Sequence, residues 1–325
     1  MTGNPLKPDL TPGGSSGGSV AAVAAGLAVI GIGTDGGGSI RRPAGHTGLY
    51  GLKPGIGTVA RGNGLPQILM DFEVIGPVAR SVEDLRLVFD ILAGPNRADP
   101  VSRASHPTPS AAQGLRILYV ERFGDDPCDP AIRASVGAAA DMLESLGHTI
   151  ARGELPLDLS AISAFWAKFG QIGLAHLRGI LPEVAQKAAP KYLAVADEGD
   201  AVPARALFAA IEAVRRLRSD MSQVMAEWDL IMTPTAAAQP WSAGKAFPEV
   251  IDGQQVGPRG HAIYTGWVNS AGHPAIALPA APDADGLPIG YQLIGDLGSE
   301  RMLLQLAADV EAIGPGWRWP GLALG

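Results

Sequence analysis

The sequence predicts an α/β protein, and three observations carry that expectation. Residues 116–120 read as a strand and residues 131–146 as a helix that stops at Gly147, a strand–helix pair of the kind that builds layered α/β structures. Further short apolar runs at 229–232, 275–278 and 289–294 read as strands and lie among segments with helical periodicity. The chain has 325 residues, 46% of them apolar and 18% charged, which fits a globular chain with one large domain or two ordinary ones.

Taken in order, residues 1–14 form a Pro/Gly-rich extended segment. Ser15 or Ser16 caps a helix running to about residue 28, and residues 28–33 then make a short buried strand ending at Thr34 and Asp35. Loop and a short helix follow through Pro54. Ser81 caps a helix over 82–93 whose apolar positions are Val82, Leu85, Val88, Phe89 and Leu92, and Gly94-Pro95-Asn96 ends it. A polar Pro/Ser linker spans about 99–113. Residues 158–226 are helical in pattern, broken at Pro182, Pro190 and Pro203. Residues 299–312 form a closing helix with Ser299 as its cap and Glu300 behind it, and the tail is rich in Gly, Pro and Trp.

Composition excludes several function classes. The net charge of −7, with no Lys/Arg run, argues against a nucleic-acid surface. The single cysteine, Cys128, excludes an internal disulfide framework and any multi-cysteine metal site. The six histidines (46, 106, 148, 176, 261 and 273) show no ligand spacing, so no metal is expected. The longest apolar stretch, 20–32, is too short to span a bilayer, and no leader pattern opens the chain, so the cytoplasm is the expected location.

The chemistry lies in two glycine-framed serines. Residues 11–19 read Thr-Pro-Gly-Gly-Ser-Ser-Gly-Gly-Ser, and residues 33–41 read Gly-Thr-Asp-Gly-Gly-Gly-Ser-Ile-Arg. Nothing bulky shields a serine that follows a row of glycines, and glycine N–H groups are free to point at an oxyanion. That is the layout of a serine nucleophile with its own oxyanion hole. Residues 36–39 also fit a plain tight loop, and 13–19 a flexible linker, although an Ala-rich helical segment directly after 19 weakens the linker reading. Gly31-x-Gly33-x-x-Gly36 formally matches a dinucleotide fingerprint. It fails on context, because Pro43 interrupts the helix such a loop should open and no acidic residue closes a second strand at the expected distance.

The runs 12–19 and 33–41, Pro43-Ala44 and Gly48-Leu-Tyr-Gly-Leu-Lys-Pro54 resemble the signature of the amidase signature family. The resemblance continues through 75–82 with Asp84, Asp229-Leu-Ile-Met-Thr-Pro-Thr235, Asn269-x-x-Gly-His-Pro-Ala275 and 286–295, so it covers nearly the whole chain in family order. It implies a mixed central β-sheet flanked by helices, a single domain over 1–325 that lacks the family's N-terminal portion, and a variable, substrate-side helical region at 158–226. It also implies an amidase acting on C–N bonds other than peptide bonds, with no cofactor. Ser39 matches the nucleophile that forms an acyl-enzyme, and Ser15, beside a cis peptide bond, matches the serine that relays the proton. Gly36, Gly37, Gly38 and Ser39 would supply oxyanion donors. Asp35 and Arg41 would brace the loops, with Ser16 and Thr34 in support.

The family completes this pair with a lysine several tens of residues before the bridging serine, whereas fourteen residues precede Ser15 here. A serine hydroxyl needs such a base at neutral pH. Lys7 lies in an extended segment and is not assigned the role, and Lys53 matches a scaffold position. The expectation is therefore a fragment of a longer amidase with impaired activity, exposing an apolar surface or an unpaired strand edge and prone to self-association, a possible homo-oligomer. The expected partner is a small amide, with no nucleic acid and no membrane. The alternatives are the amidase subunit of a tRNA-dependent amidotransferase and a non-catalytic remnant. Phe165, Trp166, Phe169, Tyr192 and Trp241 are candidates to line an apolar pocket, or to fill the core.

Overall fold

The computed structural model describes residues 2–64, 66–104 and 112–314. Part of the polar linker and the Gly/Pro/Trp-rich tail lie outside the described residues. The first half of the chain runs α1 (Gly17–Ala24), β1 (Ile30–Asp35), α2 (Arg41–Thr47), β2 (Tyr50–Lys53), β3 (Val74–Ala79), α3 (Val82–Leu92), β4 (Arg116–Tyr119), α4 (Pro130–Ser145) and β5 (Thr149–Arg152). A helical stretch follows: α5 (Ser160–Ile180), α6 (Pro182–Lys187), α7 (Pro190–Asp200) and α8 (Ala204–Glu227). The remainder is β6 (Leu230–Pro234), the short pair β7 (Val250–Ile251) and β8 (Gln254–Gln255), then α9 (Gly266–Ala271), β9 (Ala275–Pro279), β10 (Gly290–Gly295) and α10 (Glu300–Ile313).

Eight strands form one sheet in the order β1-β3-β2-β9-β10-β6-β4-β5. The pairs from β1 to β6 are antiparallel, while β4 pairs parallel with both β6 and β5. The sheet is therefore mixed, as the family resemblance implies. Its central strands are buried on both faces, and period-two alternation sends neighbours to opposite sides. Ile117, Leu230, Met232, Ile276 and Leu293 pack with α3, α4 and α10. Leu118, Ile231, Ala275 and Ile294 pack on the other face with α5, α8 and α9.

Local chemistry accounts for the helix ends. The Ser81 side chain accepts a hydrogen bond from the Asp84 N–H, and Asp129 does the same for the Ala131 N–H, so each satisfies a donor that the first helical turn leaves open. The prolines at 182 and 190 stand at the first helical position of α6 and α7, where the missing N–H costs nothing. Ser299 caps α10 by position only, since its side chain accepts no capping bond.

Several strands and one helix end depart from the sequence pattern. The first helix stops at Ala24 rather than near residue 28. The strand expected to be buried, β1, lies instead at the sheet edge, with Ile30 and Ile32 exposed on one face. β2, β3 and β5 were not evident from the sequence. β3 carries Pro77, which normally demotes a strand. It is tolerated because β2 pairs only with Ala79 and Val78 and has parted from β3 before Pro77, which faces Ile32 of the edge strand.

Candidate active site

Two loops meet above the β1 end of the sheet. The first runs from Thr11 to Ser16 into α1. Gly13 has φ +87°, and a Cβ there would lie 2.9 Å from the Pro43 Cα, so only glycine lets this loop approach α2. The Gly14–Ser15 peptide bond is cis, the conformation the family resemblance implies there. The Ser16 N–H donates to the Ser39 carbonyl at 3.3 Å, and the Ser16 hydroxyl donates to the Thr34 carbonyl at 3.2 Å. The Ser15 side chain is exposed and Ser39 is half-buried. Their backbones are thus brought together, while neither hydroxyl has a hydrogen-bond partner among the described residues.

Asp35 organises the second loop. One carboxylate oxygen accepts from the Gly38 N–H (2.6 Å), and the other accepts from the N–H groups of Ile40 (3.1 Å) and Arg41 (3.3 Å). The Arg41 guanidinium pairs with both oxygens, and the Asn269 amide adds a further donor. Arg41 reaches on to the Gln292 side chain (2.7 Å), the Thr265 carbonyl (3.0 Å) and the Asn269 side chain (2.5 Å). Gln292 in turn donates to Thr233 and Tyr264. Burial opposes the charge on Asp35, but Arg41 and the converging N–H donors hold its carboxyl well below the usual carboxylate range.

This bracing changes which N–H groups are available. Gly38 was expected to donate to an oxyanion, but its N–H is engaged by Asp35. The N–H groups of Gly37 and Ser39 have no partner among the described residues. The Gly37 carbonyl is held from behind by Arg42 and by the Thr265 hydroxyl (2.8 Å), and Arg42 also donates to the Gly14 carbonyl at 3.2 Å. Arg42 therefore staples the two serine loops together. Burial lowers its pKa to about 9, and the charge of Arg259 adds to the effect. On the far side of α2, His46 packs edge-on to Trp241, and burial holds the imidazole near 4, hence neutral.

Neither candidate lysine is bonded to a serine. Lys7 is exposed. Lys53 is fully buried and donates to the Pro54 carbonyl at 2.8 Å. Burial, and then the nearby Arg41 charge, lower its pKa to about 7 against the pull of Asp35 and Glu300.

A cavity of about 360 Å³ opens beside the loops, lined among others by Arg122, Phe123, Trp166, Arg259, Gly266 and Trp267. A Cβ on Gly37 would lie 2.8 Å from the Trp166 ring, so the cavity wall and the glycine loop share a boundary. Of the aromatic candidates only Trp166 lines this cavity. Phe165 and Phe169 are core residues around Phe72, Tyr192 is exposed, and Trp241 packs at a tilt against His261. Arg42 and Thr265 are not singled out by the sequence, and Asn269 and Gln292 fall in blocks that carry the family resemblance without being assigned a role. The available signal was polar residues within apolar runs, such as Gln292 between Tyr291 and Leu293.

The Amidase family model matches residues 1–304. A glutamyl-tRNA(Gln) amidotransferase subunit of Symbiobacterium thermophilum is 33% identical over 342 residues, covering 94% of this chain and 68% of that protein. Its counterpart from Synechococcus sp. strain CC9311 is 34% identical over 346 residues, with 95% and 69% coverage. Among solved structures, a bacterial aryl acylamidase of the amidase signature family superposes with a TM-score of 0.85 at 27% identity, covering 98% of this chain and 68% of that one. A 6-aminohexanoate cyclic dimer hydrolase gives a TM-score of 0.84 at 28% identity, with 97% and 70% coverage.

Proposed function

Because the chain belongs to the amidase family, we propose that it hydrolyses the C–N bond of a small organic amide through an acyl-enzyme on Ser39. The Ser39 Oγ attacks the carbonyl carbon and its proton passes to Ser15. The oxyanion of the tetrahedral adduct faces the N–H groups of Gly37 and Ser39. The C–N bond then breaks as Ser15 delivers the proton to the leaving nitrogen, and water releases the carboxylate from Ser39. Asp35 and Arg41 hold the loop, Arg42 holds the two loops together, and Ser16 and Thr34 join them through one hydrogen bond. The observation that supports this reading is the clasp between the loops: Ser16 N–H on the Ser39 carbonyl, and Arg42 on the carbonyls of both Gly14 and Gly37.

A hydroxyl relay needs a terminal proton acceptor, the place the family resemblance gives to a lysine. Neither Lys7, which is exposed, nor Lys53, which donates to the Pro54 carbonyl, is bonded to either serine, and the acceptor is not assigned to them. Ammonia release from a panel of short primary amides tests the reading. Ser39→Ala should fall to background, and Ser15→Ala should fall by about 100-fold or more. Wild-type turnover in Ser39→Ala would overturn it.

A second reading is favoured by the names of the curated relatives, which are subunits of glutamyl-tRNA(Gln) amidotransferases. Under it the chain works with a partner and a tRNA, and the expectation of no nucleic-acid partner does not stand. Glutamine hydrolysis that appears only with the partner subunits and glutamyl-tRNA(Gln) would select this reading over the independent amidase.

A further inference from the structure

Arg259 stands at the wall shared by the cavity and the oxyanion loop without a counter-ion among the described residues. Its guanidinium carbon lies 5.5 Å from the Trp166 ring centroid. Its Nη2 lies 3.7 Å from where a Cβ would stand on Gly37 and 3.4 Å from the same point on Gly266. Arg41, Arg61 and Arg218 are paired with Asp35, Glu73 and Asp71, whereas Arg42 and Arg122, the latter also at the cavity wall, form no ion pair among the described residues. Arg259 forms no ion pair and no side-chain hydrogen bond among the described residues. Arg259 is exposed to solvent, and the desolvation it does meet lowers its pKa.

The charge on the other side of Gly37 is also positive. The Arg42 guanidinium donates to the carbonyls of Gly37 and Gly14 and to the Thr265 hydroxyl, none of them anionic. The one carboxylate among these loops, Asp35, is already taken by Arg41. Asp126 and Glu154 also line the cavity, but neither is within ion-pair distance of Arg259. Two guanidinium groups close enough to repel each other therefore border the loop that presents the nucleophile, and neither forms an ion pair among the described residues. A guanidinium within cation–π distance of an indole, with no protein hydrogen bond among the described residues, leaves its fork of N–H donors available to a bidentate carboxylate.

We propose that Arg259 is a specificity residue that binds a carboxylate on the acyl part of the substrate, so that the amides hydrolysed are monoamides of short dicarboxylic acids. This rests on the amidase reading of Ser39. The chain between the two carbonyl carbons is short because Arg259 lies against Gly37, whose N–H faces the developing oxyanion. Trp166 supplies the stacking surface and Arg42 adds to the positive potential from behind.

The test compares malonamate, succinamate and glutaramate with their neutral methyl-ketone counterparts acetoacetamide, levulinamide and 5-oxohexanamide, in the wild type, Arg259→Met and Arg259→Lys. In the wild type, kcat/KM for the best acid amide should exceed that of its neutral counterpart by about 100-fold, and Arg259→Met should remove most of that preference while leaving the neutral amide nearly unchanged. Arg259→Lys keeps the charge without the fork and should fall between them. Equal turnover of acid and neutral amides by the wild type, or a preference that survives Arg259→Met, overturns the proposal. A separate arm measures calorimetric binding of the same acid amides to Ser39→Ala and to the Ser39→Ala/Arg259→Met double variant. Binding seen only with Arg259 present supports the proposal even if no amide is turned over, an outcome that would fail the amidase reading instead. Binding that is absent or unchanged overturns it.

Discussion

Asp35 carries a charge in a fully buried position, and its carboxylate oxygens accept from Gly38, Ile40 and Arg41 of its own loop and from Asn269. Its side chain is fully buried, as is that of its partner Arg41. Removing one member of such a pair leaves the other charge uncompensated, so Asp35→Asn should destabilise the protein by about 3–5 kcal/mol, measured by urea unfolding. A loss within experimental error would show that the network does not brace the loop. The glycine runs and both serines were visible in the sequence because they are contiguous. The partners that fix their geometry were not. Gln292 lies 251 positions from the Arg41 it receives, and Asn269 lies 234 from Asp35, and no local pattern joins residues so far apart. Gly38 shows the converse: its motif position was plain, but the engagement of its N–H by Asp35 could be seen only in three dimensions.

At the level of elements, β1 is the exposed margin of the sheet. It has one strand neighbour, β3, and its surroundings present Leu27 (83% exposed), Val29 (62%) and Ile32 (45%) to solvent. An apolar edge with open backbone groups is a template for pairing. Sedimentation velocity should show concentration-dependent association of the wild type, and Ile32→Lys should shift it toward monomer. A wild type that stays monomeric at every concentration would contradict this. Helices α5 to α8 were legible because prolines mark their breaks and their apolar positions recur at helical spacing. β2 and β5, four residues each, are too short for a pattern to emerge, and β5 owes its place to parallel pairing with β4. Its strand state belongs to the sheet rather than to its own residues.

Across the whole molecule, burial of neutral histidines sets the response to acid. Burial lowers His46 and His273 from 6.5 to about 4. The unfolded chain therefore takes up protons at these positions first, and their contribution is complete above pH 6.5 and lost as pH falls toward 4. Stability should drop by up to roughly 1.4 kcal/mol per pH unit for each histidine in that window, measured by urea unfolding at pH 7.5, 6 and 5. Stability that is flat or rises on acidification would contradict the burial of both rings. The fold that buries them also places the two serine loops side by side at the end of β1, the juxtaposition proposed to make Ser39 a nucleophile. Its most direct test is covalent trapping with a fluorophosphonate, followed by mass spectrometry of the digested protein. One adduct is expected, on Ser39, absent from Ser39→Ala. An adduct on another residue, or none on Ser39 at any concentration of the probe, would contradict it.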